Sequence, residues 1–321
     1  MPPSTALLIA DPCLVSGHVA EAWLESGGRI AEIWSESPRL ARPRLSQVLE
    51  ARAGGTRTLA GIARRHDIPV RQVGRLPDMP DLMRTVEATG ADTLLTVMSQ
   101  LIVPDIMLDH FGRRAVNVHP SLLPKYGGRK PRLSMLFDGK GDLHGGVTFH
   151  RVTRGIDEGP IVGQRSLPWS ETPHLHAWNL AAARAAGDIT RRELQAYLGG
   201  EIEAVEQDPA ERFYRTVGAT EFHVTRDKPL ATVRHLLACY PGSWTRWSHE
   251  NADGTVSCHS VKSIAAVLGP PTGRAPRVGP FRIEADIADA RLRLNRRPLH
   301  RATFGAPFIG LLACRIRGMV R

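Results

Sequence analysis

The chain has 321 residues, with 42 Lys+Arg against 32 Asp+Glu and a formal net charge of +10. At roughly 100–200 residues per domain, this length suggests two domains. Hydrophobic residues make up 42% and charged residues 23%, a balance that excludes a wholly disordered chain, a collagen-like repeat and a disulfide scaffold. No apolar run approaches the roughly 18 residues of a membrane helix, so no membrane partner is expected. The N-terminal apolar stretch has no basic segment before it, which argues against a signal peptide and for a first strand. Four cysteines without a C-x-x-C pair suggest no metal site and fit a reducing, cytoplasmic setting. Only five of the basic residues are Lys, an Arg skew that coding bias can produce. A basic surface attracts polyanions such as nucleic acid, but no dense basic run marks a specific site.

Residues 6–10 (ALLIA) read as a buried strand, 18–26 as a helix closed by Gly27-Gly28, and 29–34 as a second strand. The segment 38–44, rich in Pro and Arg, reads as a surface loop. A short helix over 58–66, an extended 68–73, a helix over 81–89 and strands over 93–98, 115–118 and 146–150 follow. This alternation predicts an α/β fold: a doubly wound, mostly parallel sheet with helices on both faces. Thr172-Pro173 opens a long helix that runs to about Leu198, where Gly199-Gly200 ends it. Beyond Asp208-Pro209 short β-like runs appear at 223–225, 255–261, 280–286 and 291–294, separated by Gly and Pro turns. They predict a smaller β-rich C-terminal domain, OB-like or similar, over 206–321, after a first domain over 1–205. Neither G-x-G-x-x-G nor G-x-x-x-x-G-K-[ST] occurs where a nucleotide-binding strand would end, so a dinucleotide fingerprint and a P-loop are unsupported.

Chemistry concentrates in two segments. In Asn117-Val118-His119-Pro120-Ser121-Leu122-Leu123-Pro124, Asn117 and His119 are two apart on a strand and project to one side. Pro120 keeps His119 extended. An amide donor beside an imidazole at the carboxyl end of a strand can stabilise an oxyanion and move a proton. In Gly155-Ile156-Asp157-Glu158-Gly159, Asp157 lies in a Gly-flanked loop that can return its carboxylate to the same edge, where it favours the imidazolium.

Together these residues resemble the formyltransferase family that uses N10-formyltetrahydrofolate, whose signature is N-x-H-P-S-L-L-P, then G-V-T-x-H, then D-x-G-x-I. Here these read Asn117 to Pro124, Gly146 to His150, and Asp157 to Ile161. The resemblance implies a Rossmann-like formyltransferase of one-carbon metabolism with catalytic Asn117, His119 and Asp157 and N10-formyltetrahydrofolate as the cofactor that donates the formyl group. It implies that Ser99, Gln100, Leu101, Ile102 and Val103 form one wall of the folate site. Val152, Arg154, Gly155 and Ile156 form the other. It also implies a cis Leu123–Pro124 peptide bond. The expected acceptor is the amine of a small molecule, an amino sugar or an amino-acid-derived metabolite. Methionyl-tRNA and water (hydrolysis of the donor) are the alternatives. Lys125-Tyr126-Gly127-Gly128-Arg129-Lys130-Pro131 departs from the Y-R-G-A-A-P pattern of the tRNA branch. Tyr240-Pro241-Gly242-Ser243-Trp244-Thr245 resembles a turn of that branch's C-terminal domain. Trp244 and Trp247 are expected in the core. The β-rich tail is the candidate surface for self-association.

Overall fold

A computed structural model of the chain describes residues 4–171, 175–239, 245–251 and 253–296. The chain divides into two compact units, one ending at Thr216 and one beginning at Val217. In chain order the first unit runs β1 (Thr5–Ala10), α1 (Leu14–Glu25), β2 (Arg29–Ser35), α2 (Leu45–Ala53), α3 (Leu59–Arg65), β3 (Val70–Gln72), α4 (Leu82–Ala88), β4 (Thr93–Val97) and α5 (Asp105–Phe111). It continues through β5 (Ala115–His119), β6 (Lys125–Gly127), α6 (Pro131–Phe137), α7 (Gly141–His144), β7 (Gly146–Arg151), β8 (Ile161–Ser166), α8 (Leu175–Ile189), α9 (Gln195–Gly199) and β9 (Phe213–Tyr214).

Seven strands form one sheet in the order β3-β2-β1-β4-β5-β7-β8. β1 to β5 run parallel; β7 and β8 add an antiparallel edge. The continuous apolar run of β1 fits its central position, because a parallel strand covered on both faces has no polar side. Its alternate residues feed two layers. Ala6, Leu8 and Ala10 join the cluster containing Val19, Trp23 and Ala182, while Leu7 and Ile9 join the opposite one with Val86, Met107 and Phe111.

The long helix expected up to Leu198 is interrupted. α8 ends at Ile189, one wider π turn spans Thr190–Leu194, and α9 finishes the segment. Its expected Thr172-Pro173 start lies outside the described residues. β8 was hidden because Gly163 and Gln164 break its apolar pattern. The stretch 206–216, assigned to the tail on composition, belongs by its contacts to the first unit: β9 pairs parallel with β6.

The second unit contains β10 (His223–Val224), α10 (Leu230–Cys239), β11 (Arg246–Glu250), β12 (Val256–Gly269), β13 (Arg277–Val278), β14 (Arg282–Asp286) and β15 (Arg291–Arg296). The strands form a six-stranded sheet, β10-β11-β12-β15-β14-β13. Trp247, Val261, Ile283, Leu292 and Leu294 are buried in it. Trp247 is therefore core, while Trp244 and the turn before it lie outside the described residues. Among those residues, no helix is long and apolar enough to cross a membrane.

Candidate active site

Three neighbouring strands line up the first functional groups. Thr96 of β4 pairs with Asn117 of β5, and Asn117 pairs across the antiparallel edge with His150 of β7. Thr96 Oγ1 donates to Asn117 Oδ1 at 2.7 Å. That bond fixes the amide orientation and turns Nδ2 toward His150 Nε2, 3.0 Å away, and Asp157 Oδ1, 3.4 Å away. His150 is buried, and its Nδ1 faces its neighbour's carbonyl, that of Arg151, at 2.8 Å. Nε2 is thus the ring nitrogen presented to the site. Unprotonated, it accepts from Asn117; protonated, it donates to Asp157, 3.4 Å away.

His119, two residues beyond Asn117, is also buried. Its Nε2 lies 2.9 Å from the Tyr126 carbonyl, which can only accept, so this nitrogen carries a proton. Its Nδ1 faces Asp157 Oδ2 at 3.3 Å and is the nitrogen that titrates. Burial pulls the imidazole below its ordinary value, against the opposing pull of Asp157 and the Tyr126 carbonyl. A ring held between these influences can hold a proton at Nδ1 or release it.

Asp157 closes the cluster. Oδ2 accepts from the Gly128 N–H at 2.8 Å. Burial alone would raise its carboxyl, but the hydrogen bond from His150, the charges of His119 and His150 and the Gly128 N–H outweigh it and hold the group at about 2. Asp157 is an anion at neutral pH. The two residues that the His119 ring nitrogens face have left-handed backbones, with φ of 59° at Tyr126 and 55° at Asp157. Such geometry is disfavoured by about 1–2 kcal/mol for a residue with a side chain, and outliers of this kind gather at functional sites. The Leu123–Pro124 peptide between the two segments is cis. Thr148 braces the same turn: its Oγ1 donates to the Ser121 carbonyl at 2.6 Å and accepts from the Leu123 N–H at 3.2 Å.

The residues expected to form the folate walls lie on two loops. In the loop after β4, Ser99 Oγ accepts from the Leu101 N–H at 3.2 Å, and Gln100 Oε1 accepts from Arg129 at 2.6 Å. Leu101 and Val103 are half-buried against the core. Ile102 points outward, 63% exposed. In the loop after β7, Val152 packs on the same core and Ile156 is 56% exposed. Arg154 reaches Asp105 at 3.1 Å and Asp109 at 3.2 Å, tying its loop to α5, which follows the first loop directly. Gly155 leaves room for the Glu158 carboxylate, which a Cβ there would meet at 2.5 Å. Of the apolar residues expected to touch a ligand, Ile102 and Ile156 are free to do so, and Leu101, Val103 and Val152 mainly anchor the loops.

Sequence reasoning missed Thr96, His150, the Gly128 amide and Gln207, whose side chain holds the Asp157 carbonyl at 2.9 Å. His150 sits in the quoted G-V-T-x-H segment, but only the β5–β7 register reveals that it faces Asn117. A separate cavity of about 260 Å³ lies beside the loop after β1, lined by Cys13, Arg39, Gln47, Glu50, Met98 and Arg132 among others. No group of three or more His, Cys, Asp and Glu suited to a metal ion occurs among the described residues.

Residues 72–180 match the formyl transferase domain family. The methionyl-tRNA formyltransferase of Streptococcus equi subsp. equi is 31% identical over 182 residues, 56% of this chain and 57% of that protein. The chain thus spans a little over half the length of that curated relative. A sugar 3N-formyltransferase solved in the presence of dTDP and 5-N-formyl-THF shares the fold with a TM-score of 0.60 at 13% identity, covering 94% of this chain and 100% of its own. An N-formyltransferase from Helicobacter canadensis, solved with folinic acid and dTDP-3-aminofucose, has a TM-score of 0.60 at 12% identity, covering 92% and 99%. Asn117, His119 and Asp157 all lie inside the segment 72–180 that matches the formyl transferase family.

Proposed function

We propose that this chain transfers a formyl group from N10-formyltetrahydrofolate to the amine of a small molecule. The observation that carries the reading is the convergence of Asn117, His119 and Asp157, with His150 behind them, inside the formyltransferase domain. The exposed Ile102 and Ile156 on the two flanking loops suit the apolar faces of a folate, and the loop backbones suit its pterin edge. The bound donor supplies an activated formyl carbon. Asn117 Nδ2 keeps one hydrogen on His150 and turns the other, now in a long 3.4 Å contact with Asp157, to the formyl oxygen as it gains charge. His119 takes up or returns a proton at Nδ1 while Nε2 stays on the Tyr126 carbonyl. Asp157, ionised throughout, stabilises the ring when it is charged.

The small acceptor is favoured by the fold shared with two N-formyltransferases, one of them a sugar 3N-formyltransferase and the other solved with dTDP-3-aminofucose. Turnover of N10-formyltetrahydrofolate with a panel of amino sugars and diamines, charged initiator tRNA, or no acceptor tests this. The reading expects tetrahydrofolate release only with a small amine. Release without acceptor would make the protein a hydrolase. Transfer to methionyl-tRNA is the second reading. It is favoured by the methionyl-tRNA formyltransferase relatives and the charge of +10, and would show as activity that collapses with added salt, because phosphate contacts release counterions.

A further inference from the structure

The stretch that follows α9 grips the catalytic loop. Val205 exchanges backbone hydrogen bonds with Ile161 at 2.7 and 2.8 Å. Gln207, buried, donates from Nε2 to the carbonyls of Asp157 at 2.9 Å and Gly159 at 2.7 Å. Only the amide nitrogen can face two carbonyl oxygens, so the orientation of this side chain is settled by its partners. Arg212 pairs with Glu158 at 2.9 Å, and the Tyr214 hydroxyl donates to the Ile156 carbonyl at 2.8 Å. Each of the four residues 156–159 is therefore held from this strap. The strap is anchored in turn by the pairing of β9 with β6 and by the Phe213 N–H on the Pro124 carbonyl at 3.0 Å. Gly127 in β6 has no side chain because the Tyr214 ring occupies that space: a Cβ would meet it at 2.7 Å.

We propose that Gln207 is a positioning residue for the transfer reaction: by holding the Asp157 and Gly159 carbonyls it locks Asp157 in its left-handed backbone and so sets where the carboxylate meets His119 and Asn117. The proposal rests on the formyl-transfer reading for its kinetic consequence, though not for its structural one. A φ of 55° is uncommon for a residue with a side chain, and although Asp tolerates it better than most, contacts around the residue decide whether it is held there. The carboxylate is held by Gly128, Asn117 and the two imidazoles, and the backbone carbonyl of the same residue is held separately, by Gln207. Among the described residues, Gln207 supplies the side-chain donor to the Asp157 carbonyl. Without it, the peptide can relax toward an ordinary conformation and carry the carboxylate away from the Gly128 N–H.

The test uses the full chain. Gln207→Met keeps the shape and removes both donors; Gln207→Glu places an acceptor against two carbonyls. Tyr214→Phe is a milder second variant that frees the Ile156 carbonyl and one Glu158 carboxylate oxygen and leaves the Asp157 and Gly159 carbonyls held. Glu211→Gln is the control, breaking the strap's Lys125–Glu211 pair at 2.5 Å without touching 156–159. Amide hydrogen exchange reads the Gly128 N–H, and steady-state kinetics with N10-formyltetrahydrofolate read the reaction. The expected result for Gln207→Met is faster exchange at Gly128, with the β1 and β4 amides as protected as before. Its kcat should fall by about 10²-fold with little change in KM for the donor. Gln207→Glu should lose more, Tyr214→Phe less, and Glu211→Gln nothing. Unchanged exchange at Gly128 would overturn the proposal. So would a kcat loss accompanied by equal loosening of every strand, or an equal loss in Glu211→Gln. If the wild type shows no formyl transfer, the functional reading fails, and the exchange at Gly128 still decides whether Gln207 positions Asp157.

Discussion

Asp157→Asn removes a charge and preserves a shape, so its effect on stability can be worked from the site. In the folded chain the carboxyl is held at about 2, against 3.8 when free. Burial opposes this, while His150, His119 and the Gly128 N–H produce it. The side chain is only 12% exposed, so solvent screening removes little of the effect. That gap contributes about 2 kcal/mol of stability at neutral pH. Because the folded value is the lower one, the contribution is complete above the free value of 3.8 and is lost as pH falls toward about 2, with roughly half remaining near pH 3. The chain has two units, so a whole-chain midpoint would blur the effect. Hydrogen exchange of the β5 and β7 amides in denaturant reports the unit that holds the site. The wild type should exceed Asp157→Asn by at least about 2 kcal/mol at pH 7, and this margin should shrink by about 1 kcal/mol at pH 3. A margin that stays constant, or widens in acid, would refute the electrostatic account of Asp157.

Further consequences follow from the same geometry. His119 has a folded value below 6.5, so the stability it contributes is present above pH 6.5 and is lost as pH falls below that point; a His119→Asn chain should show a flatter stability curve there, and NMR of the ring should show the lowered titration. Leu8 is fully buried in the central strand, and Leu8→Ala should cost about 2–5 kcal/mol in denaturant unfolding of the first unit. Gly159→Ala would press a Cβ into the Arg151 carbonyl; the loop must then shift, and the exchange protection of Gly128 should fall together with activity. His119→Ala should lower kcat by about 10²–10⁴-fold, measured as tetrahydrofolate release.

Much of this was legible in the sequence where local rules apply. The apolar run at 6–10 reads as a buried strand, and the spacing of Asn117 and His119 puts both side chains on one side of β5 because strands have period two. Asp157 was legible as a loop acid, while its left-handed backbone was not, since nothing at 155–159 distinguishes that conformation from an ordinary turn. His150 was out of reach because its role depends on an antiparallel register set by residues more than thirty positions away. Gln207 was hidden for a similar reason: its segment reads as the start of the C-terminal domain, and the Val205–Ile161 bridge and the pairing of β9 with β6 bring it to the loop. β8 and α10 were missed because their apolar residues are interrupted by Gly, Gln, Arg and His.

The central claim is that Asn117 stabilises the oxygen of a formyl group in transit. The most direct test is single-turnover transfer from N10-formyltetrahydrofolate to an accepting small amine, comparing the wild type with Asn117→Ala. The account predicts transfer by the wild type and a rate reduced about 10²–10³-fold in Asn117→Ala, with donor binding retained. Equal single-turnover rates in the two proteins would contradict it.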